Sequence, residues 1–190
     1  MTRLAILFCF VLLCSGCATT EEVKLHDPMG FSGKVSQEAE KHFAMARILW
    51  RQNASQCSDV DKALEHLDKA IEAQDDYVEA YFWRAKALSQ AGYGEDAFDD
   101  LTKSIRLSPQ AENYAMRGIV SIQLGNVLGA RKDIDYALSL KRGLPLAIEA
   151  RGLLQQALGD QRAACKDLAD ACHDGLCFEF EKAQAKGLCK

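Results

Sequence analysis

Residues 78–109 read VEAYFWRAKALSQAGYGEDAFDDLTKSIRLSP. Two apolar helical patterns flank a Gly92-Tyr93-Gly94 break, and Pro109 closes the unit. Small Ala85 and Ala97 fall where two helices would have to touch closely. Tyr81, Leu88, Leu101, Ile105 and Leu107 supply the larger apolar surface. The stretch is a helix-turn-helix hairpin, too small to bury its apolar faces alone, so its neighbours must lie elsewhere in the chain.

Phasing the chain against this hairpin finds them. Ala63, Ala97, Ala130 and Ala164 recur at intervals of 34, 33 and 34 residues. Gly92, Gly125 and Gly159 recur at 33 and 34. Arg84-Ala85, Arg117-Gly118 and Arg151-Gly152 recur in the same phase. Leu67, Leu101, Ile134 and Leu168 follow the recurring alanine by four residues, and small Ala70, Ser104, Ala137 and Ala171 follow it by seven.

In these features the sequence resembles the tetratricopeptide repeat family: an aromatic near the start of helix A, the Arg-Ala or Arg-Gly pair, the turn glycine, the small alanine of helix B and the terminal Pro109. The resemblance covers about Ser36 to Asp174. It implies an all-α, right-handed superhelical solenoid of about four repeats. The divisions are an irregular first unit at 36–77, further units at 78–110, 111–144 and 145–174, and a cysteine-rich capping helix at 175–190. The first unit departs from the pattern. It lacks the turn glycine and the Arg-Ala pair, and it carries an insertion of about five residues around Cys57. Ser36 starts its first helix, on which Phe43, Ala46, Leu49 and Trp50 repeat, and Asp59 or Asp61 caps the second. Phe178, Phe180, Ala183 and Leu188 are placed to cover the last repeat, with Gly187 ending the cap.

Composition agrees with a folded helical chain. Of 190 residues 48% are hydrophobic, and only three are proline. A net charge of -4 argues against nucleic acid as a partner and against a polybasic membrane patch.

Residues 1–16 read as a processing segment. Arg3 is followed by an apolar run from Leu4 to Leu13, too short to span a membrane. Cys14-Ser15-Gly16-Cys17 resembles the bacterial lipobox, although Cys14 stands where leucine is usual and Leu13 is one place early. The resemblance implies cleavage before Cys17, acylation of Cys17 and, with Ala18 following, sorting to the outer membrane with the domain facing the periplasm. The alternative is an ordinary secretory signal cut near Ala18. Residues 17–35 then form a flexible tether, or an arm ordered by Met29 and Phe31.

An oxidising compartment makes the cysteines of the mature chain candidates for disulfides. Besides Cys17 these are Cys57, Cys165, Cys172, Cys177 and Cys189. Cys172 ends a helix and Cys177 begins the cap, so a bridge between them would staple the turn. A similar helix-turn bridge occurs in cysteine-rich Sel1-like repeats, which resemble this stretch. Four cysteines allow three pairings. The preferred set is Cys172–Cys177 with Cys165–Cys189, leaving Cys57 as the odd thiol, open to pairing between molecules. The rival is a metal set of Cys172, His173, Cys177 and Cys189, although the paired CxxC of zinc modules is missing.

Three arginine-aspartate pairs recur at a spacing of 16 residues: Arg84 with Asp100, Arg117 with Asp133, Arg151 with Asp167. Such a row reads as a structural ladder or as a ligand-binding arginine row; the ladder is preferred. The first repeat has Met45 and His66 at these places. His26, His42 and His66 have no evident catalytic framework, so neither an enzyme nor a cofactor is expected.

In the tetratricopeptide family helix A side chains line a concave surface. Carried over, the resemblance implies Phe82, Lys86, Ser89 and Gln90 from the second unit, and Ala115, Ile119, Ile122 and Gln123 from the third. Glu149, Leu153 and Gln156 come from the fourth, and Phe43, Arg47, Trp50 and Arg51 from the first. Trp50 and Ile122 could equally be interhelix core. An aromatic-basic end and an aliphatic strip suit an extended peptide or helix with aliphatic anchors and an acidic or C-terminal carboxylate. The implied function is a membrane-anchored periplasmic scaffold that binds a protein segment during envelope assembly. The alternative is a cysteine-dependent redox or metal-binding protein.

Overall fold

The computed structural model describes residues 35–50 and 56–190. Within them the amphipathic periods fold as α1 (Gln37–Ile48), α2 (Val60–Ala73), α3 (Val78–Ala91), α4 (Gly94–Leu107), α5 (Ala111–Gln123), α6 (Val127–Leu140), α7 (Pro145–Ala157), α8 (Gln161–His173) and α9 (Phe178–Ala185). Each helix packs on the next in chain order, which makes four antiparallel hairpins closed by α9. No strand occurs among the described residues. Trp50 and Cys57 form one isolated antiparallel bridge.

Local chemistry sets the helix ends. The side chains of Ser36, Asp59, Asn126 and Asp160 accept hydrogen bonds from the third backbone N–H beyond each, on Ala39, Lys62, Gly129 and Ala163. Of the two aspartates considered for α2, Asp59 is its cap. Gly92 closes α3 at φ 90°, and Gly125 and Gly159 lie past the ends of α5 and α7 at φ 76° and 85°. This is the left-handed region that glycine enters without a Cβ penalty. Gly94 is not part of the break: it is the first residue of α4, which shortens the connection to Gly92-Tyr93.

The phased positions form the core. Ala63, Ala97, Ala130 and Ala164 are fully buried, as are Leu67, Leu101 and Ile134. Ala70, Ser104, Ala137 and Ala171 are buried in the same way, and the Ser104 hydroxyl donates to the Val78 carbonyl. The small residue after each ladder arginine faces this row. A Cβ on Gly118 would stand 2.6 Å from Ile134 Cγ1, and one on Gly152 would stand 3.0 Å from Leu168 Cγ. Helix A therefore approaches helix B closely enough that a larger side chain is excluded. Leu107 and Leu188 do not join the core; each is more than a third exposed at the end of its element.

The irregular first hairpin is held by polar contacts. Ser58 donates from both N–H and hydroxyl to the Leu49 carbonyl. Cys57 donates its N–H to Gln90 Oε1 at 2.7 Å, and its carbonyl accepts from Gln90 Nε2 at 2.9 Å.

At the other end α9 is tied to α8 by the disulfides Cys165–Cys189 and Cys172–Cys177, with Cα separations of 5.5 and 4.0 Å. Ala183 and Cys189 are buried against Leu168, with Phe180 beside them. The signal segment, Cys17, the tether as far as residue 34 and Arg51 lie outside the described residues. No helix among the described residues is long and apolar enough to cross a membrane.

Candidate functional site

Odd-numbered helices share one side of the stack: α5 packs on both α3 and α7 as well as on its own hairpin partner. Their solvent-facing side chains make a continuous surface with two different ends.

The first end is aromatic and basic, and Trp83 is its centre. The Arg47 guanidinium lies 4.0 Å from the Trp83 ring centroid and the Lys86 ammonium 4.9 Å from it. Trp50 meets Trp83 edge-on at 5.0 Å. The two cations are thus drawn together around one ring, in contacts typically worth ~0.5–2 kcal/mol each. Burial pushes Lys86 below its ordinary value; Arg47 pushes it the same way, and Glu149 opposes both. Burial also lowers Arg47.

Glu149, on α7, is the negative counterpart. It is 7% exposed. Burial, and then Glu179 on α9, push its carboxyl up to about 7, against the pull of Lys86. Between α5, α7 and α9 a cleft of about 390 Å³ has Ile119, Ile122 and Leu153 as its aliphatic floor. Gln123, Gln156, Glu179, Lys182 and Lys186 form its polar rim.

Several residues named from the sequence therefore fall into different environments. Arg47, Lys86, Ile119, Ile122, Gln123 and Leu153 lie on the surface just described. Ile119 and Ile122 also pack against the Ile134 cluster, so each serves core and cleft together. Phe43, Trp50 and Phe82 are buried and shape the wall from behind. Phe43 packs on Tyr77 at 5.0 Å, and Phe82 meets Trp83 edge-on. Gln90 has committed its amide to the Cys57 backbone, and Gln123 accepts from the Ser89 hydroxyl. Trp83 was not singled out from the sequence. Its signal is its place one residue after Phe82, which rotates it toward α1; the irregular phase of the first unit conceals what it meets there.

The arginines have a framework role. Each donates through Nε and Nη2 to both oxygens of its aspartate: Arg84 to Asp100 at 2.7 and 2.7 Å, Arg117 to Asp133 at 2.7 and 2.8 Å, Arg151 to Asp167 at 2.7 and 2.9 Å. These bidentate pairs join the two helices of a hairpin and leave the carboxylates buried. At the C-terminal end, the sulfurs of Cys172, Cys177 and Cys189 are divided between two bridges, which dissolves the four-ligand set with His173.

No family model matches the chain. Human Tetratricopeptide repeat protein 13 is 32% identical over 115 residues, which is 57% of this chain and 13% of that protein. The chain thus spans a small part of that relative's length. Among solved structures, a thermophilic TPR protein of Thermus thermophilus, TTC0263, matches with a TM-score of 0.60 at 21% identity, covering 80% of this chain and 81% of that one. The fold is a tetratricopeptide-repeat solenoid. The first TPR of Spaghetti (RPAP3), solved with the HSP90 peptide SRMEEVD, matches with a TM-score of 0.58 at 21% identity. It covers 66% of this chain and 97% of that one. At 21% identity the two solved structures share the fold with this chain; the side chains on its inner helix faces are its own.

Proposed function

We propose that this protein is a scaffold that holds a protein or peptide segment against the inner face of its solenoid. The observation that carries the reading is the polarity of that face: Arg47 and Lys86 around Trp83 at one end, the Ile119–Ile122–Leu153 cleft at the other. An extended segment or helix with an acidic group or a C-terminal carboxylate fits the first, and its aliphatic side chains fit the second. The peptide-bound state of the structural relative supports the reading. Nothing in it calls for a catalytic step.

The lipobox-like sequence before Cys17 supports a lipid-anchored protein with the solenoid facing the periplasm, working in envelope assembly. Two disulfide bridges suit such a compartment. Incorporation of a labelled fatty acid that Cys17→Ser abolishes tests the anchor; an unlabelled wild-type chain refutes it.

The groove is tested by placing a photocrosslinker at Ile122 and, separately, on the outer helix α4 at Lys103, in the native envelope. The reading expects one partner captured from Ile122 and not from Lys103. A peptide from that partner should bind the purified domain and lose at least about tenfold in affinity in Lys86→Glu and in Leu153→Asp. Equal capture from both positions would refute it.

A further inference from the structure

The first hairpin replaces the arginine-aspartate pair with a pair of histidines. His66 on α2 stands at the ladder position of Asp100, Asp133 and Asp167, and His42 on α1 meets it. Their Nδ1 atoms are 3.4 Å apart, and the two rings are tilted by 33°. Both side chains are half-buried at the hairpin seam. No arginine fork fills this place; the contact of the two imidazoles closes the seam.

That spacing has a chemical meaning. A tetrahedral ion with two Zn–N bonds of ~2.0–2.1 Å separates the two nitrogens by about 3.3–3.4 Å. We propose that His42 and His66 form a surface site for a divalent transition-metal ion of the zinc class, bound through both Nδ1 atoms. In the metal-bound form each imidazole is neutral and carries its proton on Nε2, which leaves both Nδ1 lone pairs for the ion. Imidazole suits zinc, copper and nickel, and discriminates against calcium and magnesium.

The surroundings favour a cation and leave room for it. Glu38, one turn before His42, shares an open cleft of about 500 Å³ with His42, Glu72 and Lys69. Lys69 is neutralised by its pairing with Glu65 at 2.5 Å, and Glu65 itself lies within electrostatic range of both histidines. In that cleft Glu38 and Glu72 face one lysine, itself paired with Glu65. Among the described residues no three of the usual ligand side chains are already gathered, so water or a swung-in Glu38 completes the shell. The ion would stiffen the repeat that lacks the Arg–Asp fork. That repeat also carries Arg47, one of the two cations at the basic end of the groove.

The test is titration of the full purified chain with zinc ions, followed in long-range proton–nitrogen spectra of the histidine rings. The expected result is one ion per chain, with the Nδ1 signals of His42 and His66 shifting at a common midpoint and those of exposed His173 unmoved. Loss of a group that merely orients a metal ligand already costs ~10–100-fold in metal affinity, so removal of a ligand in His42→Gln or His66→Gln should cost at least about tenfold. Absence of a shift at both rings in the wild-type protein, a measurement that depends on no variant folding, overturns the proposal. So does unchanged zinc affinity in a folded His42→Gln/His66→Gln double variant.

Discussion

Arg84 holds Asp100 through two hydrogen bonds of 2.7 Å across its own hairpin, and with its remaining Nη1 it reaches Asp68 of the preceding hairpin at 2.8 Å. The same guanidinium thus closes one repeat and joins it to the one before. Hydrogen bonding to Asp100 raises Arg84 above its ordinary value, outweighing its burial. Arg117 repeats the arrangement with a weaker outward contact, 3.3 Å to the Thr102 hydroxyl.

Asp100→Ala should destabilise the domain by about 2–4 kcal/mol, because it leaves a half-buried guanidinium with one exposed partner. Asp68→Ala should cost under about 1 kcal/mol, since that carboxylate is half exposed. Urea denaturation of the two variants checks the ordering. Equal losses would place the ladder's energy between repeats rather than within them.

Gly118→Ala should destabilise by about 1–3 kcal/mol. The new Cβ would meet Ile134 Cγ1 at 2.6 Å in a fully buried layer. Gly125→Ala meets no atom within 4 Å and carries only the backbone strain of φ 76°, about 1 kcal/mol. Ile134→Ala removes that Cγ1, so Gly118→Ala and Ile134→Ala together should cost less than the sum of the two, which a double-mutant cycle measures.

Glu149 sets a pH dependence. Its folded value, about 7, lies above that of an unfolded glutamate, so the folded state binds the extra proton between about pH 4.5 and 7. Stability therefore falls as pH rises through this window, and the penalty is complete above it. Glu149→Gln should be more stable than wild type at pH 8, by on the order of 1–3 kcal/mol, with the advantage fading toward about pH 4.5. Glu179→Gln should shift the same transition downward, and Lys86→Met should shift it upward. Thermal melts across the range give the sign directly.

Loss of the Cys165–Cys189 bridge should release α9. Its 24-residue separation makes it worth about 3 kcal/mol by chain entropy, against about 2 for Cys172–Cys177, whose separation is 5. Hydrogen exchange should show α9 opening in Cys165→Ser/Cys189→Ser while α3 to α6 stay protected. Since Glu179 and Lys182 on α9 form one wall of the cleft, groove binding should weaken in the same variant.

The repeat was legible because it is written in local periodicity. Alanines spaced by 33 or 34 residues, turn glycines in the same phase and the 16-residue Arg–Asp spacing each report a contact within one hairpin or with its copy. A solenoid makes nearly all its contacts at such distances, so phase alone fixes which residues meet. The groove was legible only in outline. Ile119, Ile122 and Leu153 lie on it as their phase requires, while Phe43 and Trp50 of the irregular first unit and Phe82 of the second turn inward because aromatic burial outweighs exposure. The same irregularity hid Trp83 and the use of Gln90 to hold Cys57.

The sequence by itself determined the helices, their order, the small-residue seams and the Arg–Asp pairs, because each follows from a period and a residue type. Only the tertiary structure decided what the first repeat and the two ends of the inner face became. Trp83 gathering Arg47 and Lys86, Glu149 facing Glu179 across from Lys86, and His42 meeting His66 all join residues from different helices. The pairs Arg47–Trp83, Glu149–Glu179 and His42–His66 do not recur in phase with the repeat. Their approach is set by how α1, α2 and α3 pack at one end and how the capping helix packs at the other, and no local pattern records that distance.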